Sequence, residues 1–252
     1  MTLQTLQGKT VIVTGGAQGL GRLYCESLAQ EGVNVLVADI RDATEVAEGI
    51  RQQGGAAIAL KTDITNEHDV AEMAKTAVDR FGRIDALVNN AAIYYGLSPK
   101  HFAEIDPAEW DKVMQVNVKG AWLCVRAVLP QMKKQQSGKI INVSSATVLL
   151  GTPGLLHYVA SKAAVIGMTR TMAREVGDYN ICVNTVAPGL TWTEASQGLF
   201  SEERAKQSAQ KKCLKRLEQP DDLVGVVKFL ISDASNFITG QTIVVDGGSA
   251  FL

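Results

Sequence analysis

The stretch "TVIVTGGAQGLG" (10–21) decides the fold. A β-branched run, "TVIVTG" (10–15), passes through a glycine-rich turn into a segment of helical character that extends to about residue 31. A nearly continuous apolar run of this length suits a strand covered on both faces, which requires helices on both sides of the sheet. Gly15, Gly19 and Gly21 are spaced G-x-x-x-G-x-G. Glycine in such a turn permits positive φ and lets backbone approach a pyrophosphate. The helix that follows then presents unpaired amides and the positive end of its dipole to the phosphates. The spacing departs from the G-x-G-x-x-G fingerprint, although the mechanics are the same. A glycine turn by itself also serves tight packing, so the remaining chain must decide between the two roles.

The strand-then-helix pattern repeats down the chain. Further strands are expected at "VNVLVAD" (33–39), "AAIALKTD" (56–63), "IDALVNN" (84–90), "GKIINVSS" (138–145), "ICVNTVAP" (181–188) and "TIVVD" (242–246). Helices are expected at about 19–31, 42–53, 66–81, 107–134, 157–177 and 220–232. Such alternation implies right-handed βαβ units and an α/β, doubly wound Rossmann architecture: a seven-stranded parallel sheet with helices on both faces. No linker or repeat interrupts it, so residues 1–252 read as a single domain that both binds a dinucleotide and carries catalysis. The segment 189–216 resists assignment, and its place after a strand end makes about 190–216 a candidate substrate lid, with an ordinary surface excursion as the alternative.

Composition excludes several classes. The 25 basic and 26 acidic residues nearly cancel, which leaves no chain-wide basic field for nucleic acid or anionic membrane. Cys25, Cys124, Cys182 and Cys213 are far apart, and His68, His101 and His157 are equally scattered, so neither a disulfide framework nor a metal site is expected. No secretory signal and no apolar run of membrane-spanning length is apparent. The expectation is a soluble cytoplasmic protein without a metal.

Strand ends supply the candidate cofactor contacts. Asp39 closes the second strand, 18 residues after Gly21, where a carboxylate accepts hydrogen bonds from the adenosine ribose hydroxyls and repels a 2′-phosphate. Gln18 in the turn is neutral where a cation would pair that phosphate; Arg41 nearby weakens the argument, and a capping role for Asp39 is the alternative. The cofactor expected is NAD. Asp63 is placed to accept from the adenine amino group while Ile64 packs on the ring, and the small residues of "NNAA" (89–92) leave room for the adenosine ribose. Capping of strands and helices is the competing role for these ends.

The fifth strand ends in "VSS" (143–145), and Tyr158 and Lys162 sit four residues apart on a predicted helix, hence on one face. A free phenol has a pKa of about 10, and a neighbouring ammonium favours the phenolate and lowers it. Together with the Ser145 hydroxyl these are the parts needed to move a proton at an alcohol oxygen while a hydride leaves its carbon. His157 points about 100° away from Tyr158 on a helix and reads as a pocket-wall or surface residue. Ser144 and Ser145 alternate to opposite faces, so only one reaches substrate.

In combination these elements resemble the short-chain dehydrogenase/reductase family over essentially the whole chain. They occur in family order: "TGGAQGLG" (14–21), Asp39, "TDI" (62–64), "NNAA", Asn117 in "MQVNVKG" (114–120), Ser145, "YVASK" (158–162), "NTVAPGLTWT" (184–193) and "GQTIVVDGG" (240–248). The resemblance implies Tyr158 as general acid/base, with Lys162 lowering its pKa and binding the nicotinamide ribose. It implies that Ser145 orients the substrate oxygen and that Asn117 holds a water linking Lys162 to solvent. It further implies cofactor contacts from Gly15, Gln18, Gly19 and Leu20, from Asp39 and Ile40, from Asp63 and Ile64, and from Asn90 and Ala91. Pro188, Gly189, Thr191 and Thr193 would line the nicotinamide and pyrophosphate end. Two departures stand out: Ala92 where the family usually has glycine, and Thr191 where Ile or Val is common.

Substrate is expected between "AIYYGLSPKHF" (92–102), "ATVLLGTPGLLH" (146–157) and "LTWTEASQGLF" (190–200), whose aromatic and aliphatic content suits a hydrophobic or aromatic secondary alcohol and its ketone. Family likeness extends to aryl-alcohol dehydrogenases and to 3-oxoacyl-carrier-protein reductases; the latter usually prefer NADP, which Asp39 argues against. The resemblance also implies a homotetramer, with helices 107–134 and 157–177 at one interface and the apolar tail "GGSAFL" (247–252) near another. A non-catalytic NAD-binding sensor is the rival from a different class, and the intact Asn117, Ser145, Tyr158 and Lys162 set argues against it.

Overall fold

A computed structural model describes residues 6–199 and 201–251. Phe200 of the substrate-framing segment and Leu252 of the apolar tail lie outside the described residues. Seven strands form one sheet: β1 (Thr10–Thr14), β2 (Asn34–Asp39), β3 (Ala56–Lys61), β4 (Ala86–Asn89), β5 (Gly138–Val143), β6 (Ile181–Pro188) and β7 (Thr242–Val245). They pair in the order β3-β2-β1-β4-β5-β6-β7, all parallel. The order reverses between β1 and β4, and a crevice at the carboxyl ends of strands opens at such a point.

The helices are α1 (Gly19–Ala29), α2 (Thr44–Gln52), α3 (Glu67–Phe81), α4 (Pro107–Met114), α5 (Ala121–Gln135), a one-turn α6 (Thr147–Leu150), α7 (Leu156–Val176), α8 (Glu194–Gln197), α9 (Glu202–Gln210) and α10 (Val224–Ile231). Alternation along the strands sorts them into two layers. Val11, Val13, Val35 and Val37 pack with Tyr24, Leu28, Val46, Ile50 and Leu230 of α1, α2 and α10. Ile12, Leu36 and Ala38 face the other way, onto Met73, Leu123, Val128 and Val176 of α3, α5 and α7. Among the described residues no helix is long and apolar enough to cross a membrane, and no His/Cys/Asp/Glu group is arranged to hold a metal ion.

Two segments differ from the sequence expectation. The helix expected over 107–134 is interrupted by a π-helical turn, Gln115–Gly120. This wider turn contains Asn117 and ends on Gly120, where a β-carbon would stand 2.7 Å from Ile64 Cδ1, so helix and β3–α3 connection meet closely there. Segment 189–216 holds the two short helices α8 and α9, the first opened by a capping box between Thr193 and Ser196.

Candidate active site

The glycine turn is shaped for close backbone contact. Gly19 has φ of 54° with open space where a β-carbon would project, and a β-carbon on Gly21 would stand 2.0 Å from the Gly15 carbonyl oxygen. Helix α1 opens at Gln18 without a side-chain cap, so the Gln18 side chain leaves the amides of the first turn open. Such a cradle fits a pyrophosphate. Asp39 ends β2, buried, with Oδ2 accepting from the Ala17 amide at 3.0 Å and Oδ1 from the Arg41 amide at 2.9 Å. The Arg41 guanidinium donates to Gln18 Oε1, and Ile40 beside it is 60% exposed. Asp39 is thus both a brace for the turn and a carboxylate at the crevice.

Other strand ends carry more structural duty than the sequence suggests. Asp63 Oδ1 accepts from the Thr65 amide and hydroxyl at 2.9 and 2.8 Å, the capping role. The Ile64 side chain, expected to lie on an adenine ring, is instead buried in the core against Gly120. Asn90 ties β4 to the glycine turn, its side-chain amide donating to the carbonyls of Thr14 and Gly15 at 3.1 and 3.2 Å. Thr14 Oγ1 in turn accepts from the amides of Asn90 and Ala91 at 3.1 and 3.2 Å, which places Ala91 against Gly15. Thr14 was not singled out by sequence; its position as the last residue before the turn was the available signal.

Beside this crevice stand the candidate catalytic groups. Tyr158 and Lys162 share a face near the start of α7, both buried, with the ammonium 5.8 Å from the phenol ring centroid. Lys162 Nζ donates to the Val143 carbonyl at 2.8 Å, and burial pulls its pKa down to about 8. Burial holds the Tyr158 pKa above the ordinary phenol value, the field of Tyr94 adds to the rise, and a hydrogen bond with Ser145 opposes it. Ser145 lies next to Tyr158, while Ser144 Oγ donates to the Lys162 carbonyl at 2.7 Å, the opposite orientations that strand alternation requires.

Asn117 braces the same corner. Its Oδ1 accepts from the Ile93 amide at 2.7 Å, and its Nδ2 donates to the Ile93 carbonyl and to Ser161 Oγ at 3.2 and 3.0 Å. None of these side-chain bonds runs to Lys162. His157 is neither wall nor surface: it is fully buried, with Nε2 2.8 Å from Glu109 Oε1, while Glu109 Oε2 pairs with Lys100 at 2.7 Å. Helix α4 is therefore clamped to α7 just before Tyr158, and the π turn is clamped just after it.

Pro188 closes β6, and Gly189 donates to the Val245 carbonyl at 2.9 Å. The Thr191 hydroxyl, expected to add a group beside a carboxamide, is buried and donates to Glu218 Oε1 at 2.7 Å. Thr193 Oγ1 accepts from the Ser196 amide at 3.3 Å as the cap of α8. Tyr158 also belongs to an apolar cluster with Leu97, Val113 and Leu155, on which Ile93, Tyr94 and Leu199 pack. The Tyr94 ring is tilted on Tyr158 with centroids 5.0 Å apart, and burial pushes its hydroxyl up to about 12. Sequence reading framed this segment without isolating Tyr94; two adjacent tyrosines directly after "NNAAI" were the signal.

This arrangement can hold a dinucleotide against a phenol, a lysine and a serine hydroxyl beside an apolar cluster. A family model described as enoyl-(acyl carrier protein) reductase matches residues 15–250. The 3-oxoacyl-[acyl-carrier-protein] reductase of Staphylococcus epidermidis is 41% identical over 243 residues, 95% of this chain and 98% of its own. That of Thermotoga maritima is 39% identical over 249 residues, covering 96% and 98%. A solved structure from Sinorhizobium meliloti, described as a candidate short-chain alcohol dehydrogenase, superposes with a TM-score of 0.91 at 33% identity and covers 98% of both chains. With the site geometry and these likenesses together, the chain belongs to the short-chain dehydrogenase/reductase family of oxidoreductases, which bind a nicotinamide cofactor.

Proposed function

We propose that this protein is an NAD(H)-dependent oxidoreductase that interconverts a hydrophobic or aromatic secondary alcohol and its ketone. The observation that carries this reading is the apolar cluster of Leu97, Val113, Leu155, Ile93, Tyr94 and Leu199 around Tyr158. A cluster of this kind favours an apolar ligand with one polar atom directed at the phenol.

The Gly15–Leu20 turn, Asp39 and Ile40, Asp63, Ala91, and the Pro188–Thr193 backbone would hold the cofactor, which supplies the hydride acceptor or donor when bound. Asp39 favours the adenosine ribose hydroxyls over a 2′-phosphate because its charge opposes that of the phosphate. Tyr158 moves the proton at the substrate oxygen. Held protonated by burial, its Oη serves directly as donor in ketone reduction and must lose its proton again before alcohol oxidation. Ser145 Oγ hydrogen-bonds the same substrate oxygen, Lys162 supplies positive charge beside the phenol, and Asn117 keeps the Ile93 and Ser161 walls in register. The segment 190–216 acts as the substrate lid, residues 1–252 form one domain, and the protein works as a cytoplasmic homotetramer.

A second reading, a 3-oxoacyl-thioester reductase, is favoured by the 41% and 39% identities to reductases of that description. One panel separates them: aryl ketones, alkyl ketones and acetoacetyl-coenzyme A with NADH and NADPH, followed at the reduced-nicotinamide absorbance. The first reading predicts the highest kcat/KM for an aryl or alkyl ketone with NADH; a preference for the thioester overturns it in favour of the second. Tyr158→Phe should lower kcat by about 10²–10⁴ with NADH affinity unchanged, and unchanged turnover would sink the proton-transfer role.

A further inference from the structure

Three residues far apart in sequence meet behind the Pro188–Gly189 turn. Glu218 and Lys212 are each 4% exposed. Glu218 Oε1 accepts from the Thr191 hydroxyl at 2.7 Å, and Oε2 lies 3.6 Å from Lys212 Nζ, beyond a good hydrogen bond. Neither Lys212 Nζ nor Glu218 Oε2 has another hydrogen-bond partner among the described residues. A buried ion pair so sparsely satisfied is a poor source of stability, because desolvation of both charges offsets their attraction.

Its surroundings tie it to the turn. A β-carbon on Gly189 would stand 2.5 Å from Glu218 Oε2 and 2.8 Å from Asp246 Cβ, so only glycine lets the carboxylate seat against this backbone. The Trp192 amide donates to the Glu218 carbonyl at 2.8 Å. Cys213 and Leu214, next to Lys212, donate to the carbonyls of Gly248 and Gly247 at 3.3 and 2.8 Å, which anchors the lysine's end of the pair to the chain beyond β7. The carboxylate thus stands between the return of the 190–216 excursion and the backbone after β6.

We propose that Glu218 is a positioning residue for the nicotinamide end of the cofactor: by fixing the Thr191 hydroxyl it sets the course of the 188–193 backbone against which the nicotinamide carboxamide binds. The proposal rests on the dinucleotide reading above. Glu218 itself does not touch the cofactor.

The test compares NADH with ADP-ribose, which lacks the nicotinamide, by titration calorimetry on wild type and two double variants. Lys212→Met with Glu218→Gln removes both charges but keeps an acceptor for Thr191; NADH affinity should stay within about threefold of wild type. Lys212→Met with Glu218→Leu removes the acceptor; NADH should weaken about tenfold while ADP-ribose stays within about twofold. Equal NADH affinity in the two folded double variants, or an equal loss of NADH and ADP-ribose, overturns the positioning role. A wild type that binds neither ligand overturns the dinucleotide reading and this proposal with it. Should the leucine variant not fold, Thr191→Val breaks the same contact from the other side: the same selective loss supports the proposal, and no selective loss refutes it.

Discussion

Replacing Lys162 by methionine should remove an alkaline-side slope from the protein's stability. Burial holds the Lys162 ammonium at about 8 against an ordinary value of 10.5, and the hydrogen bond it donates to the Val143 carbonyl does not compensate. Between those two values the unfolded chain binds a proton at this residue that the native protein does not. Stability therefore rises with pH through that window and is lowest, on account of Lys162, below about pH 8. The full gap corresponds to about 3 kcal/mol, of which about 1.5 kcal/mol falls between pH 8.0 and 9.5.

Methionine has similar length and no charge, so it carries no such penalty at any pH. The measurement is equilibrium urea unfolding of both proteins at several pH values from 7.0 to 9.5, read as the difference between them. Taking the difference cancels Tyr24 and Cys25, whose burial raises their pKa values and tilts stability the other way. The variant's relative advantage should shrink by about 1.5 kcal/mol from pH 8.0 to 9.5; a constant offset from packing leaves that slope untouched. A difference flat to within about 0.5 kcal/mol would mean that Lys162 ionises near its ordinary value, and the desolvation argument would fall.

Asp39→Ser should lower the ratio of NADH to NADPH affinity at least about tenfold by removing the charge that opposes a 2′-phosphate; an unchanged ratio in calorimetry would move cofactor choice elsewhere. Glu109→Ala should cost about 1–3 kcal/mol in urea unfolding, since it strands the buried His157 Nε2, while Glu109→Gln, which can still accept from it, should recover most of that loss. Equal behaviour of the two variants would show that the contact is not needed.

What was legible from sequence was local. Apolar runs of four to eight residues, a glycine turn and an i, i+4 pair each declare themselves within a few positions, and the seven strands and the Tyr158–Lys162 face follow from them. What was hidden depends on partners far along the chain. The direction of His157, away from Tyr158, is a property of any helix, but that Glu109, 48 residues away, waits there is not. Thr191 looked like a hydroxyl offered to the cofactor because Glu218, its acceptor, lies 27 residues downstream. The burial of Tyr158 was hidden for a related reason: a neighbouring cation is visible in sequence, whereas Tyr94 and the cluster packed around the phenol, which raise its pKa, are brought together from separate segments.

Variants of this site divide according to where the altered side chain spends its hydrogen bonds. Many polar residues at the crevice already spend hydrogen bonds inside the protein: Asn90 on Thr14 and Gly15, Asn117 on Ile93 and Ser161, Thr193 on Ser196, Thr191 on Glu218. What they secure is the course of backbone, whose amides are the groups a phosphate or carboxamide meets. Asp39 differs in degree, since each of its oxygens accepts one amide and retains capacity for another donor. Substituting the first set should weaken the cofactor and destabilise the fold together, because one bond serves both. Substituting Asp39 should change which cofactor is chosen by more than it changes stability. A shift in cofactor preference without a matching loss of stability is therefore the mark of a residue that meets the ligand itself.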